Sequence, residues 1–178
     1  ILHNDDVCKI DFGTHINGCI VDSAFTINLS NKYDIILAAS KDAVDNIVKN
    51  IGIDVKFSEL SAISKEIVES YEFNEKKLKP IDNICGHNIL PWKIHGGKLL
   101  YGTPQNYETQ IVEEDDIIAV EIFSSNGNGT SAMDLRKSNY SHFMLKEYSH
   151  ESNNNNNNTS VLTKKTKKLF DTINTNFN

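Results

Sequence analysis

Two runs rich in β-branched and aromatic residues, Val7 to Phe12 and Cys19 to Ile27, open the chain and read as strands. Between them stands Asn17-Gly18, the pair most favoured in a two-residue type I′ hairpin turn. The pattern then switches to helical spacing. From Tyr33 to about Asn50, the residues Ile36, Ala43, Ile47 and Ile51 fall near one stripe. After the break Gly52-Ile53-Asp54, a second helix carries Leu60, Ile63, Ile67, Val68 and Tyr71, with Ser58 as its expected N-cap. Glu72 to Lys79 reads as a charged connector, and Pro80 to Lys98 as an irregular segment dense in Gly, Pro, His and Trp. Ile117 to Phe123 is apolar except for Glu121 and predicts one buried strand, followed by a turn-forming stretch from Ser124 to Thr130. The asparagine tract Asn153 to Asn158 has no apolar area to bury and predicts a disordered insertion over 150–160. Beyond it, Leu162, Thr166, Leu169, Ile173 and Phe177 share one face of a final helix.

The turn fixes a register. With Asn17 and Gly18 at its centre, Ile16 faces Cys19, His15 faces Ile20, Gly13 faces Asp22 and Asp11 faces Ala24. Alternation then puts Asp11, Gly13, Asp22 and Ala24 on one face. Asp11 and Asp22 become diagonal neighbours, roughly 7–8 Å apart at Cα, with carboxylates able to converge. Ile10, Phe12, Ile20 and Val21 look like sheet core around them. Two carboxylates in such a place repel each other unless cations lie between them. Glu121 raises the same question, because a buried glutamate is protonated, paired with a base or bound to a metal. The only arginine is Arg136, and the lysines cluster on surface segments. His87, beside Gly86, and His95 are the imidazoles that could join this acidic set.

Composition narrows the class. With 39% hydrophobic and 24% charged residues among 178, the chain is an ordinary soluble globular sequence with room for a core. A net charge of −6 argues against nucleic-acid binding as the main activity. The basic run Lys164-Lys165-Thr166-Lys167-Lys168 is read as a solvated helix face. Cys8, Cys19 and Cys85 are odd in number and lack CxxC spacing, so reduced thiols are expected rather than a disulfide framework. No apolar stretch reaches the ~20 residues that span a bilayer, and no charged-then-apolar leader opens the chain, so a cytoplasmic protein is expected.

Several ordered blocks carry a resemblance. Lys9-Ile10-Asp11-Phe12-Gly13-Thr14-His15-Ile16-Asn17-Gly18 is followed by Ile20-Val21-Asp22-Ser23-Ala24-Phe25-Thr26. Then come Gly86-His87-Asn88-Ile89, Ile94-His95-Gly96-Gly97-Lys98, Ala119-Val120-Glu121-Ile122-Phe123 and Ser141-His142-Phe143-Met144. Together they resemble type 2 methionine aminopeptidases from about Asp6 to Met144. The resemblance implies an α+β chain with the pita-bread fold of creatinases and aminopeptidases, an antiparallel sheet covered by helices, incomplete in this chain. Residues 1–134 would be a partial catalytic domain and 135–178 the start of the type 2 helical insertion.

The same resemblance implies the site. Asp22 would bridge two divalent ions (Co, Mn, Fe or Zn), Asp11 would hold one of them, and His87 and Glu121 the other. His95 would be catalytic and touch the substrate, with Ile94 and His142 lining its pocket. The expected activity is removal of the initiator methionine from nascent polypeptide N-termini with a small second residue. The ribosome is a candidate partner, and neither membrane nor direct nucleic-acid binding is expected. The family's last bridging glutamate and its upstream histidine have no counterpart here, so the chain alone is expected to be inactive. Cys85 stands where the family usually carries a polar pocket residue. The competing reading is a non-catalytic pita-bread regulator that binds RNA or protein, which would have replaced several ligands. An Xaa-Pro peptidase or creatinase would need a different hairpin text.

Overall fold

The turn at Asn17-Gly18 takes the left-handed backbone that a type I′ hairpin needs, with φ of 50° and 81°. β1 (Val7–Ile16) and β2 (Cys19–Asn28) therefore pair antiparallel, with Gly13 opposite Asp22 and Asp11 opposite Ala24. β1 runs on to Ile16 instead of ending at Phe12. The expected core around the carboxylates is corrected: Ile10, Phe12 and Val21 lie exposed, Phe12 at 54% and Val21 at 60%, while Ile20 is partly covered. Ile10, Phe12 and Val21 sit on the ribbon face opposite Asp11 and Asp22. The chain is seen in a computed structural model that describes residues 1–132 and 164–177.

The core lies under two helices. α1 (Asp34–Asn50) buries Ala39, Ala43 and Ile47, which follow one another at four-residue intervals, and α2 (Phe57–Ser70) buries Phe57, Leu60 and Val68. Ser58 does not cap α2. The N-cap position is Lys56, and no side chain caps it. The carbonyl of Gln110, from a distant segment, instead accepts the Phe57 N–H at 3.0 Å. That long-range bond starts the helix earlier and buries Phe57 at its first residue.

Glu72 to Lys79 is more than a connector. β3 (Glu72–Phe73) and β4 (Lys76–Lys77) form a tight hairpin across Asn74 and Glu75, both at positive φ. β5 (Lys79–Pro80) follows, and the segment expected to be irregular contains β6 (Cys85–Ile89). β6 is the centre of a three-stranded antiparallel sheet between β7 (Leu99–Tyr101) and β8 (Ile117–Ala119). The strand expected over Ile117 to Phe123 ends at Ala119. The chain then leaves the β6 ladder, and β9 (Ser124–Ser125) pairs with β5. Ser124 anchors this crossing: its hydroxyl donates to the Ile36 carbonyl at 2.6 Å, and its N–H donates to Ser40 Oγ at 3.1 Å.

The chain divides into two compact units, Ile1–Arg136 and Lys137–Asn178. In the second, α3 (Lys164–Phe177) exposes Leu169 and Ile173. The asparagine tract, Leu162 and His142 lie outside the described residues. Among the described residues, no helix is long and apolar enough to cross a membrane.

Candidate metal centre

Gly86 makes the centre possible. A Cβ at this position would run into the Ala119 carbonyl oxygen and stand 2.9 Å from the Glu121 backbone nitrogen. With only hydrogen there, β8 closes on β6 so that His87 pairs with Ala119, and the chain beyond Ala119 turns Glu121 toward the histidine. His87 itself is buried. Its Nε2 lies 3.4 Å from Asp22 Oδ2 on the hairpin and 3.3 Å from Glu121 Oε1. Among the described residues, one nitrogen and two carboxylate oxygens thus converge, all within 4.8 Å of one another.

The electrostatics of this cluster favour a cation. Burial pushes the Glu121 carboxyl above its ordinary value, and the negative charges of Asp22 and Asp11 push it further; His87 opposes them without reversing the shift. The His87 Nδ1 faces the Asn88 carbonyl at 3.2 Å. With Nδ1 donating its proton there, Nε2 is the ring nitrogen turned to the two carboxylates, where a proton or a metal ion can stand between them. Lone pair and anions are compatible when a positive ion lies between them. The separations fit one, since donor atoms at metal bonds of about 2.1 Å stand about 3.4 Å apart at tetrahedral angles. An imidazole and two carboxylates form a borderline donor set, suited to divalent transition ions rather than to thiophilic ones.

The other expected site residues are placed unequally. Asp11 shares the ribbon face of Asp22, and its charge reaches Glu121, but it is exposed and its carboxylate stands outside the converging group. Glu121 is half-buried rather than buried, with its side chain 26% exposed. His95 brings its ring edge-on to His87, centroids 4.4 Å apart. Ile94 is partly buried beside it. On β6, burial pushes the Cys85 thiol up, with the charges of Glu121 and Glu108 adding to the effect.

Sequence reasoning missed two participants. Trp92, at φ 62°, donates its N–H to the Gly18 carbonyl at 3.0 Å and sets its ring 5.2 Å from that of His15. It fastens the hairpin tip to the body carrying His87, and a Cβ on Gly18 would run into its indole. The signal was Gly18 itself, which serves as both turn residue and landing place. Asn88, buried next to His87 on β6, is the second.

Against this geometry the comparisons with known proteins are specific. Residues 1–139 match metallopeptidase family M24. The chain is 41% identical over 181 aligned positions to methionine aminopeptidase 2-2 of Aspergillus flavus, covering 99% of this chain and 36% of that protein. With methionine aminopeptidase 2 of Podospora anserina it is 45% identical over 133 positions, covering 72% of this chain and 30% of that protein. It spans roughly a third of the length of the curated relatives it matches. The crystal structure of methionine aminopeptidase from Thermotoga maritima matches 76% of this chain and 53% of its own, at TM-score 0.65 and 16% identity. That of Rickettsia prowazekii matches 75% and 53%, at TM-score 0.64 and 17% identity. The fold is thus the pita-bread fold, and the converging Asp22, His87 and Glu121 support divalent metal binding. With its family match over residues 1–139 and its likeness to methionine aminopeptidase 2 proteins, this chain belongs to metallopeptidase family M24.

Proposed function

We propose that this chain forms the metal-binding part of a methionyl aminopeptidase that removes the initiator methionine from nascent polypeptides with a small second residue. The convergence of Asp22, His87 and Glu121 from a hairpin, a central strand and the segment after β8 carries the reading. Two divalent ions, Mn, Fe, Co or Zn, would be held here: Asp22 shared between them, Asp11 on one, His87 and Glu121 on the other. When bound, such ions supply a Lewis acid and lower the pKa of water toward neutrality.

The chain's own residues have separate tasks. His87 offers Nε2 because Asn88 holds Nδ1. Glu121, raised by burial, is stabilised as an anion only when positive charge faces it. His95 donates a hydrogen bond to the carbonyl oxygen of the scissile bond as negative charge grows there. Ile94, partly buried, lines the pocket for the methionine side chain or the adjoining substrate. The partners are nascent-chain N-termini, presented at the ribosome. A regulator without catalysis is not favoured, since Asp11, Asp22, His87 and Glu121 are all present.

The test uses the full-length polypeptide loaded with Mn²⁺ or Co²⁺. Release of methionine from a Met-Gly peptide and not from a Met-Lys peptide is expected. Cleavage of neither, with the ion demonstrably bound, overturns the proposal.

A further inference from the structure

Asn88 is 4% exposed, and its backbone N–H, its carbonyl and its side-chain oxygen are all hydrogen-bonded. Its backbone N–H donates to the Lys98 carbonyl at 3.1 Å, and its carbonyl accepts the Gly96 N–H at 2.7 Å. Its side-chain oxygen accepts the Lys98 N–H at 2.9 Å. Beside it the Asp116 carboxylate, whose ionised form the Asn88 side chain favours, holds the Lys98 ammonium at 2.5 Å. The carboxamide lies flat against Gly96: a Cβ there would run into its oxygen and stand 2.7 Å from its Cγ and Nδ2. The backbone from Gly96 to Lys98 is therefore wrapped around one buried side chain.

His95 immediately precedes that stretch. Among the described residues, its ring makes the edge-on contact with His87 and no side-chain hydrogen bond or ion pair. The ring is consequently aimed by the backbone that carries it, and that backbone is held by Asn88. We propose that Asn88 is the positioning residue of the centre: with Gly96 as its complementary surface, it sets the His95 imidazole against His87 and toward the substrate. The proposal rests on the reading of His95 as the residue that meets the substrate. It concerns the side chain of Asn88, which is separable from the backbone carbonyl that faces His87 Nδ1.

The experiment is a double-mutant cycle on the full-length polypeptide, read by turnover of a Met-Gly peptide, by Mn²⁺ titration and, on the Zn²⁺-loaded protein, by the His95 ring resonance. Asn88→Ala deletes the side-chain bonds and keeps the carbonyl. Its kcat is expected to fall roughly ten- to hundred-fold with KM changed by less than about threefold, the scale of a misplaced catalytic group. Mn²⁺ affinity is expected to stay within about threefold, and the His95 resonance to move. Gly96→Ala, which forces a methyl into the carboxamide, is expected to give the same split, and it serves alone if Asn88→Ala does not fold. In the double variant the new methyl occupies the vacated space, so kcat and the His95 resonance return most of the way to wild type. Single-variant kcat within twofold of wild type, or effects that simply multiply in the double variant, overturns the proposal. So does a loss of Mn²⁺ affinity that accounts for the lost turnover. A wild-type polypeptide that binds the ion but releases no methionine sinks the proposed function instead, and the ring resonance still decides the role of Asn88.

Discussion

Replacing Gly86 by alanine tests the geometry of the centre most directly. The added Cβ meets the Ala119 carbonyl oxygen and carbon and the Glu121 nitrogen, the last two at 3.4 and 2.9 Å. All are backbone atoms of the neighbouring strand or its continuation, so no side-chain rotation relieves the overlap. Restoring van der Waals separations near 3.5 Å requires this segment to retreat by roughly 1 Å. Overpacking of this kind costs about 1–3 kcal/mol, and the rigidity of backbone places Gly86→Ala toward the upper end. At about 2–4 °C per kcal/mol for domains of 150–250 residues, and less for a longer polypeptide, melting falls by a few degrees. The effect on the ion is larger. His87 Nε2 and Glu121 Oε1 stand 3.3 Å apart, whereas metal–ligand distances tolerate changes of only about 0.2 Å. Mn²⁺ affinity is expected to drop at least roughly tenfold. Calorimetric titration and thermal melting of wild type and Gly86→Ala, both in the full-length polypeptide, measure the two effects. A variant that melts within a degree of wild type and binds Mn²⁺ within twofold would refute the claim that close approach at Gly86 builds the site.

Other expectations follow from the same contacts. Phe57→Ala, at a fully buried position, is expected to cost about 3–5 kcal/mol in urea unfolding, and Phe57→Leu less than about 1.5. Burial raises the Asp116 carboxyl, but bonds from Lys98, the Glu113 backbone and Asn88 outweigh it and hold the group below its ordinary 3.8. Its stabilisation is therefore present above pH 3.8 and lost as pH falls through the folded-state value. Asp116→Asn is expected to remove about 1–3 kcal/mol near pH 7, a difference that shrinks in urea midpoints as pH is taken down through and below 3.8. Glu121 has the opposite sign: its folded-state value is raised above 4.5, so ionisation destabilises the metal-free protein as pH rises past that point. Glu121→Gln should then raise the metal-free melting temperature near pH 7 while weakening Mn²⁺ binding. A variant less stable than wild type without the ion would contradict the stated cause of the shift. Asp22→Asn is expected to lose the ion, as read by Mn²⁺ titration.

What could be read from the sequence depended on how local its cause was. Asn17-Gly18 dictates a register by itself, and every predicted hairpin pair is found. The stripes of α1 and α2 recur every three or four residues and were equally legible. Glu121 stood out as an acid within an apolar run, and it lies beside His87. β6 was missed because Gly86, His87 and Asn88 have little strand propensity, and only pairing with β7 and β8 makes them a strand. Ser58 looked like a cap, but the carbonyl of Gln110 starts the helix from more than fifty residues away in the chain. The early end of β8 reflects the pairing of β9 with β5, a partnership that no pattern within 117–123 encodes. Asn88 gave no sign because its importance lies in what folds around it.

The three converging ligands come from chain segments that share no local structure: β2, β6 and the stretch beyond β8. An unfolded chain holds no memory of that arrangement, so an ion distinguishes sharply between the two states. Ion concentration and fold stability are then thermodynamically linked. A free ion at a hundred times its dissociation constant adds about 2.7 kcal/mol to the folded state, and each further decade adds about 1.4. A chelator therefore acts on this fold as a mild denaturant, reaching the hairpin through Asp22 without touching the apolar core.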